Sequence, residues 1–137
     1  MITIYPYTLE PQPEGGYLVR FVDLEEAFTA GDSLEEAAFN AAEVLTGVLA
    51  HRLASGQEIT APSAADGQPV AVPSPAVQAA LLLRLARGER PLSEVARALN
   101  TSWAAAQRLE DPNHWPSLKQ LDRAASAMGK RLVLALE

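Results

Sequence analysis

Apolar and polar side chains alternate near the start of the chain, and this period of two predicts strands. Residues 2–9 contain two isoleucines, two tyrosines and no charge, and Pro6 indicates an edge or bulged position for this first strand. A turn over residues 11–16 leads to a second strand over residues 17–22, so the two form an antiparallel hairpin. Residues 28–30 predict a short third strand.

A helical period begins at Ser33, which is placed to form a capping box with Glu36. Apolar positions recur to about Leu53, and Gly56 is the predicted stop. The side chains predicted to face inward are Leu34, Ala38, Ala41, Leu45, Val48 and Leu49. Three strands covered on one face by one helix predict a small α+β layer.

Residues 57–75 differ in composition from what precedes them. Four prolines and Gly67 predict a linker, within which residues 70–72 can add a short fourth strand. We therefore expect one domain over residues 1–73 and a second over residues 74–137.

Helical spacing returns over residues 75–87, a predicted helix that ends at Gly88 with Arg84 and Arg87 facing outward. A last helix begins at Ser117 and stops at Gly129. The inward positions are Val77, Leu81, Leu82 and Leu85 on the former, and Leu118, Leu121, Ala124, Ala125 and Met128 on the latter.

Residues 130–136 carry leucine at every second position from 132 and predict a strand. A strand that follows a helical domain needs a partner, either in another copy of the chain or in the first domain.

Two short amphipathic helices are predicted within residues 92–110, joined by a turn at residues 100–102. Their inward positions are Val95, Ala96 and Leu99 on the first helix and Ala106 and Leu109 on the second. This pattern is typical of a helix-turn-helix, whose second helix lies in the major groove of DNA.

Composition limits the class of protein. The chain has 137 residues, 48% of them apolar, and it contains no cysteine, so disulfide and thiolate sites are excluded. Neither a signal peptide nor an apolar run of ~18 residues occurs, and we expect a cytoplasmic protein without membrane segments.

Charge is divided unevenly between the two halves. Residues 1–73 hold eleven Asp and Glu against two Lys and Arg, whereas residues 74–137 hold six against nine. A basic second half can meet phosphates, and an acidic first half can attract a basic partner.

The second half resembles the phage-repressor-like (XRE/Cro) helix-turn-helix family. The matching positions are Val95-Ala96, Leu99, Thr101-Ser102, Leu109-Glu110, Ser117-Leu118-Lys119-Gln120-Leu121 and Ala127-Met128-Gly129. The first half resembles the HicB antitoxins at Tyr5-Pro6, Glu14-Gly15-Gly16-Tyr17, Val19, Phe21, Asp23, Thr29, Gly31-Asp32, Leu34-Glu35-Glu36-Ala37 and Asn40-Ala41. A chain that carries both sets of positions in this order resembles the helix-turn-helix type of HicB.

The resemblance implies a function and a fold. A truncated RNase-H-like sheet of three to four strands with one helix would cover a HicA-like toxin, a small basic protein that cleaves mRNA. An all-α helix-turn-helix domain with a C-terminal strand would repress the shared operon by binding operator double-stranded DNA as a homodimer or homotetramer. The strand or the last helix would provide the pairing.

The resemblance to the repressor family places Trp103, Ala104 and Arg108 toward base edges, with Gln107 beside them. Arg108 suits guanine, Gln107 adenine and Ala104 a thymine methyl group. Trp103 fits packing in a core or dimer equally well. The positions expected to meet the DNA backbone are Thr101, Ser102 and Lys119.

Acidic residues around apolar anchors suit a basic partner, and they follow the second predicted strand. The residues expected to contact the toxin are Asp23, Leu24, Glu25, Glu26 and Phe28, although a solvated turn would look alike. Here the chain departs from the family, which often has Phe-Pro-Asp followed by Pro-Gly-Cys.

Catalysis is not expected, because the first strand carries no carboxylate and the two histidines lie far apart, so no metal or other cofactor is expected. Two alternatives remain open: a stand-alone transcription regulator with a ligand-sensing first domain, and a Mg²⁺-dependent nuclease using Asp23 or Asp32.

Overall fold

The computed structural model describes residues 3–137, so the beginning of the predicted first strand, at Ile2, lies outside the described residues. Nine elements follow one another along this range. The strands and the long helix come first, and four shorter helices complete the chain. They are β1 (Tyr5–Pro11), β2 (Tyr17–Phe21), β3 (Phe28–Gly31), α1 (Leu34–Ser55), β4 (Val70–Ala71), α2 (Pro75–Arg87), α3 (Leu92–Ala98), α4 (Trp103–Arg108) and α5 (Leu118–Ala127).

The four strands form one antiparallel sheet in the order β3-β2-β1-β4. The predicted hairpin, third strand and short fourth strand are confirmed, but β1 is an inner strand, so the prediction of an edge position from Pro6 is wrong. The ladder tolerates the proline because its missing N–H is not needed: the carbonyl of Pro6 accepts a hydrogen bond from Val22, and the next N–H, of Tyr7, donates to Pro69.

Helix α1 covers one face of the sheet and begins and ends at the predicted residues, but only the Ser33 half of the predicted capping box is formed. The hydroxyl of Ser33 accepts a hydrogen bond from the backbone N–H of Glu36, and Gly56 ends the helix in the left-handed conformation. Its orientation is rotated from the prediction, because Leu34 and Ala38 are exposed. The buried residues recur at every fourth position: Ala37, Ala41, Leu45 and Leu49.

Two hydrophobic clusters stabilise the molecule. The first lies between the sheet, α1 and the near side of α2, which contributes Val77 and Leu81. The second lies among α2, α3, α4 and α5 and includes Leu83 of the same helix. Helix α2 therefore contributes to both clusters, and burial of its apolar residues holds the two layers together. No helix within residues 3–137 is long and apolar enough to cross a membrane.

Two predictions concern the last part of the chain. Residues 130–136 pair with no strand of residues 3–137, so a return of this strand to the first domain is wrong, while its pairing with another copy stays a prediction. The segment lies beside α2 and α5. Leu118, predicted to face inward, is exposed. Leu118 is the first residue of α5 and precedes the buried residues Ala124 and Ala125 by almost two turns, so it lies beyond the edge of the second hydrophobic cluster.

Candidate functional sites

Helices α3 and α4 are joined by a tight turn whose geometry comes from local hydrogen bonds. Asn100 adopts a left-handed φ of 53°, and the N–H of Thr101 donates to the carbonyl of Ala96 at 2.9 Å. The hydroxyl of Ser102 then caps α4 by accepting from the N–H of Ala105 at 3.1 Å. The predicted cap is confirmed, and the α3–α4 unit (residues 92–108) has a defined backbone at this turn.

The inner side of α4 is anchored by Ala106, which is 1% exposed, and its other side faces solvent. Trp103 is 52% exposed, so it does not pack in the core of this chain. The remaining residues expected to meet DNA are also exposed: Thr101, Ser102, Ala104, Gln107, Arg108 and, at the start of α5, Lys119. The turn and α4 therefore present exposed polar and aromatic side chains, and Lys119 is exposed on α5.

A largely buried ion pair fixes Glu110, two residues after the α3–α4 unit, to α2. The carboxylate of Glu110 accepts two hydrogen bonds from Arg87, at 2.6 Å from Nε and 3.0 Å from Nη2, with both side chains about 14% exposed or less. Arg84 lies 3.8 Å from the same carboxylate. The prediction that Arg84 and Arg87 face outward is therefore wrong, because their charge is needed to satisfy a carboxylate inside the helical layer.

Arg90 also has a structural role rather than a free surface position. Its Nη2 donates to the carbonyls of Ala86 and Met128, at 2.9 and 3.2 Å, which ties the end of α2 to the end of α5. These contacts were not predicted, because Arg90 binds backbone carbonyls and Met128 is 38 residues away along the chain. Within residues 74–137, the exposed basic residues are Arg97, Arg108, Lys119, Arg123, Lys130 and Arg131.

The loop between β2 and β3 is held by backbone hydrogen bonds and by one buried side chain. The N–H of Ala27 donates to the carbonyl of Leu24, and Phe21 donates to the carbonyl of Ala27, both at 3.0 Å. Leu24 is 0% exposed and belongs to the first hydrophobic cluster. Its side chain therefore anchors the loop and is not available for contact with a partner in this conformation.

Two acidic residues of the loop are engaged within the chain. Asp23 accepts hydrogen bonds from both the N–H and the hydroxyl of Ser63 in the following linker. Glu26 forms two hydrogen bonds with Arg52 of α1, at 2.8 and 2.6 Å. The Arg52 hydrogen bonds lower the pKa of the Glu26 carboxyl from its usual value, so the pair is charged at neutral pH.

The linker is held to the sheet by Tyr5, whose hydroxyl donates to the carbonyl of Thr60 at 2.8 Å. Burial raises the pKa of this hydroxyl to about 12, with a further contribution from the negative charge of Asp23. The roles of Arg52, Ser63 and Thr60 have no local signal in the sequence, because all three are distant from the loop along the chain. Of the residues expected to contact the toxin, Glu25 in the loop and Phe28 at the start of β3, which is 57% exposed, present free side chains. Val22, 49% exposed in the same loop, does so as well.

Comparison with known proteins shows the family to which this chain belongs. A family model described as a HicB-like antitoxin of bacterial toxin-antitoxin systems matches residues 4–82, more than half of the chain. The chain belongs to this HicB-like antitoxin family. Two relatives named antitoxin HicB support an antitoxin role: that of Escherichia coli K12 is 33% identical over 96% of this chain and 98% of its own length. That of Photorhabdus laumondii, antitoxin HicB 1, is 31% identical over 97% and 86%.

In this HicB-like antitoxin, two residues that match the family pattern, Gly31 and Asn40, join α1 to β3. The side-chain amide of Asn40 donates to the carbonyl of Ala30 at 2.8 Å, which joins α1 to β3. The backbone of α1 passes so close to Gly31 that a β-carbon there would lie 2.4 Å from the amide nitrogen of Ala37. The resemblance around residues 31–41 thus reflects close packing beside the β2–β3 loop.

Within residues 3–137, no group of three or more histidine, aspartate or glutamate side chains is placed to hold a metal ion. Asp23 is hydrogen-bonded to Ser63, and Asp32 is exposed in the turn before α1.

Proposed function

We propose that this antitoxin binds a HicA-like, mRNA-cleaving toxin through the surface around the β2–β3 loop and represses its own operon through the α3–α4 unit, acting as a helix-turn-helix. In this proposal the sheet with α1 is the truncated RNase-H-like domain, and the helices from α2 onward form the DNA-binding domain. The observation that carries the proposal is the presence of two separate exposed surfaces, of different charge, in a chain of an antitoxin family.

The toxin-facing surface consists of the side chains that the β2–β3 loop and the start of β3 leave exposed. Leu24, Asp23 and Glu26 hold the loop rigid, so Glu25 and Phe28 are presented on a fixed backbone at little cost in entropy. An aromatic side chain beside a carboxylate suits a small basic protein, because the ring contributes buried area and the carboxylate contributes attraction.

Phe28 and Phe39 allow a matched test of this surface. Phe28 pairs with Arg20 on the sheet face away from α1, whereas Phe39 lies on the outer side of α1, and both rings are more than half exposed. We expect Phe28→Ala to weaken association with the small basic toxin encoded beside this antitoxin about tenfold or more, a loss typical of an aromatic anchor.

Isothermal titration calorimetry with that toxin would measure the loss, and Phe39→Ala is the control. A larger loss for Phe39→Ala than for Phe28→Ala would place the toxin on α1 instead of the loop. Absence of binding by the unmodified chain would remove the toxin half of the proposal and favour the regulator that senses a small ligand.

The operator-facing surface lies on α4. Ala106 anchors its inner side, so Ala104 and Arg108 project from the opposite side and Gln107 lies exposed beside them, which is an arrangement that a major groove accepts. Trp103 is exposed beside them and is available for a contact with a phosphate, a methyl group or a second copy of the chain. Lys119 supplies a phosphate contact from the next helix.

Arg108→Ala is expected to weaken operator binding ten- to a hundredfold, because a bidentate contact with guanine contributes about 1–3 kcal/mol of discrimination. Lys119→Ala should instead weaken binding to operator and unrelated DNA equally and reduce the dependence on salt. Fluorescence anisotropy with both DNAs over a salt series separates the two effects.

Arg20→Ala, on the sheet, is the control for loss of one exposed positive charge. Equal loss for Arg108→Ala on operator and unrelated DNA would contradict base reading by α4. A homodimer or homotetramer is part of the proposal, because one unit makes few contacts and such units pair on half-sites about 34 Å apart.

A further inference from the structure

The exposed side of α4 consists of two rows of side chains. Ala106, which is 1% exposed, marks the inner side of this helix. Residues four apart lie one above the other on a helix, so Trp103 and Gln107 form one row. Ala104 and Arg108 form the other row, and all four side chains are exposed. Each row therefore has an apolar side chain at one end and a polar one about 6 Å farther along the helix axis.

Trp103 is the largest side chain of this surface and does not serve the core. Within residues 3–137 it belongs to neither hydrophobic cluster, and it is 52% exposed. The two residues that follow it, Ala104 and Ala105, carry only methyl groups and leave its ring uncovered. An indole combines a large apolar area with few rotatable bonds, which is why tryptophan is enriched at interfaces. The ring is therefore available to a partner.

The surroundings of the ring indicate which partner it suits. A second copy packed on the ring would also bury Gln107 and the charge of Arg108, which costs free energy unless both find polar partners. A phosphate would accept from the indole N–H but would leave the apolar face of the ring in water. In the major groove, thymine offers a 5-methyl group together with the O4 acceptor. Thymine therefore matches both the apolar face and the N–H of the indole.

We propose that Trp103 reads the 5-methyl group of a thymine in the operator, with Ala104 completing the apolar contact. This contact selects thymine over cytosine within about two base pairs of the base that Arg108 contacts, because the apolar and polar ends of the rows are about 6 Å apart and base pairs stack at about 3.4 Å. The inference rests on the proposed function, since it requires α4 to enter the major groove, and it deepens that function by naming the chemical group that α4 reads.

Replacing thymine with deoxyuridine tests the contact, because the exchange removes the methyl group and preserves base pairing. The operator is first located as the DNA upstream of the antitoxin's own operon that the full-length chain protects from nuclease digestion. Fluorescence anisotropy then measures binding to duplexes in which thymines are exchanged one at a time. For the unmodified chain we expect a loss of about fourfold at the contacted thymine, as for one buried methyl-sized group. Trp103→Ala should bind the thymine and deoxyuridine duplexes with equal, reduced affinity.

Two further variants separate the methyl contact from other effects. Lys119→Ala is the matched control, since loss of a phosphate contact lowers the affinity for both duplexes and preserves their ratio. Trp103→Phe keeps an apolar ring without the N–H and should preserve most of that ratio. Circular dichroism confirms that each variant is folded, and the Ser102 cap is unchanged in all of them. A ratio that is the same for Trp103→Ala and the unmodified chain would overturn the proposal.

Cytosine methylation provides the reverse experiment, because 5-methylcytosine carries its methyl group at the same place in the groove as thymine. Exchanging the contacted T·A pair for C·G should weaken binding by the unmodified chain. Methylating that cytosine should then restore about fourfold in affinity to the unmodified chain and nothing to Trp103→Ala. Equal restoration in both proteins would contradict a methyl contact by Trp103.

Three other results would also overturn the inference. Equal loss for Trp103→Ala on operator and unrelated DNA, without dependence on the methyl group, would assign the ring to a phosphate. Weaker self-association of Trp103→Ala in analytical ultracentrifugation, with an unchanged ratio, would assign it to a second copy. Failure of the unmodified chain to bind its operator would remove the DNA-binding half of the proposed function as well. Operator binding that depends on Arg108 but not on Trp103 would instead leave the proposed function intact.

Discussion

Replacing Gly31 with alanine is expected to destabilise the fold by about 3 kcal/mol or more, because the added methyl group enters space already filled by backbone. The new β-carbon would lie 2.4 Å from the amide nitrogen and 2.7 Å from the α-carbon of Ala37, at the start of α1. A neighbouring side chain could rotate away from such a clash, but these neighbours are backbone atoms in the first turn of α1 and cannot move alone. The sheet and α1 must therefore separate at this end.

Gly47→Ala is the matched control for this substitution. Gly47 lies in the exposed part of α1, and no atom lies within 4 Å of an added β-carbon. Alanine there should stabilise the protein by about 0.5–1 kcal/mol, because glycine loses more backbone entropy in a helix. Chemical denaturation followed by circular dichroism measures both changes, and similar values for the two variants would contradict the close approach of β3 and α1.

Glu110→Gln is expected to lower the free energy of unfolding of the helical layer by about 2–3 kcal/mol, because it leaves Arg87 without its counter-ion in a largely buried position. Glutamine keeps the size of the side chain and one acceptor oxygen, so the loss reflects charge rather than packing. The Glu110 carboxylate also lies near Arg84, and its removal leaves two neighbouring positive charges to repel each other.

Glu94→Gln is the control, since Glu94 is an exposed glutamate in the first turn of α3 and its replacement should change stability by less than about 1 kcal/mol. Hydrogen exchange of the α2–α4 amides measures the loss locally. Operator binding by Glu110→Gln should fall as the temperature approaches the lowered midpoint, whereas toxin binding should persist. Equal stability of the Glu110→Gln and Glu94→Gln variants would contradict a structural role for the Arg87–Glu110 pair.

Elements with local signals were predicted well. Ser33, Ser102 and Ser117 each cap a helix as expected, and Gly56 ends α1, because a cap requires only residues within one turn of it. The candidate DNA surface on α4 was accessible to prediction for the same reason: a six-residue helix anchored by Ala106 leaves few choices for its outward side.

Predictions that required knowledge of distant residues were less accurate. Leu24 resembles an exposed anchor in the sequence, but the first hydrophobic cluster buries it. Glu26 is neutralised by Arg52, which is 26 residues away. The rotation of α1, which buries Ala37 instead of Ala38, follows from the contact of its first turn with Gly31. Each outcome depends on which segments meet, and no local pattern reports that.

The sequence by itself determined β1–β4 and α1–α5, their caps, the unequal charge of the two halves and the family resemblance, because these depend on short-range periodicity and composition. Only the tertiary structure decided that Arg87 neutralises Glu110, that α2 contributes to both hydrophobic clusters, and that residues 130–136 find no strand partner among residues 3–137. The physical reason is that ion pairing, burial and strand pairing are relations between distant segments. They become visible only when the folded chain brings those segments together.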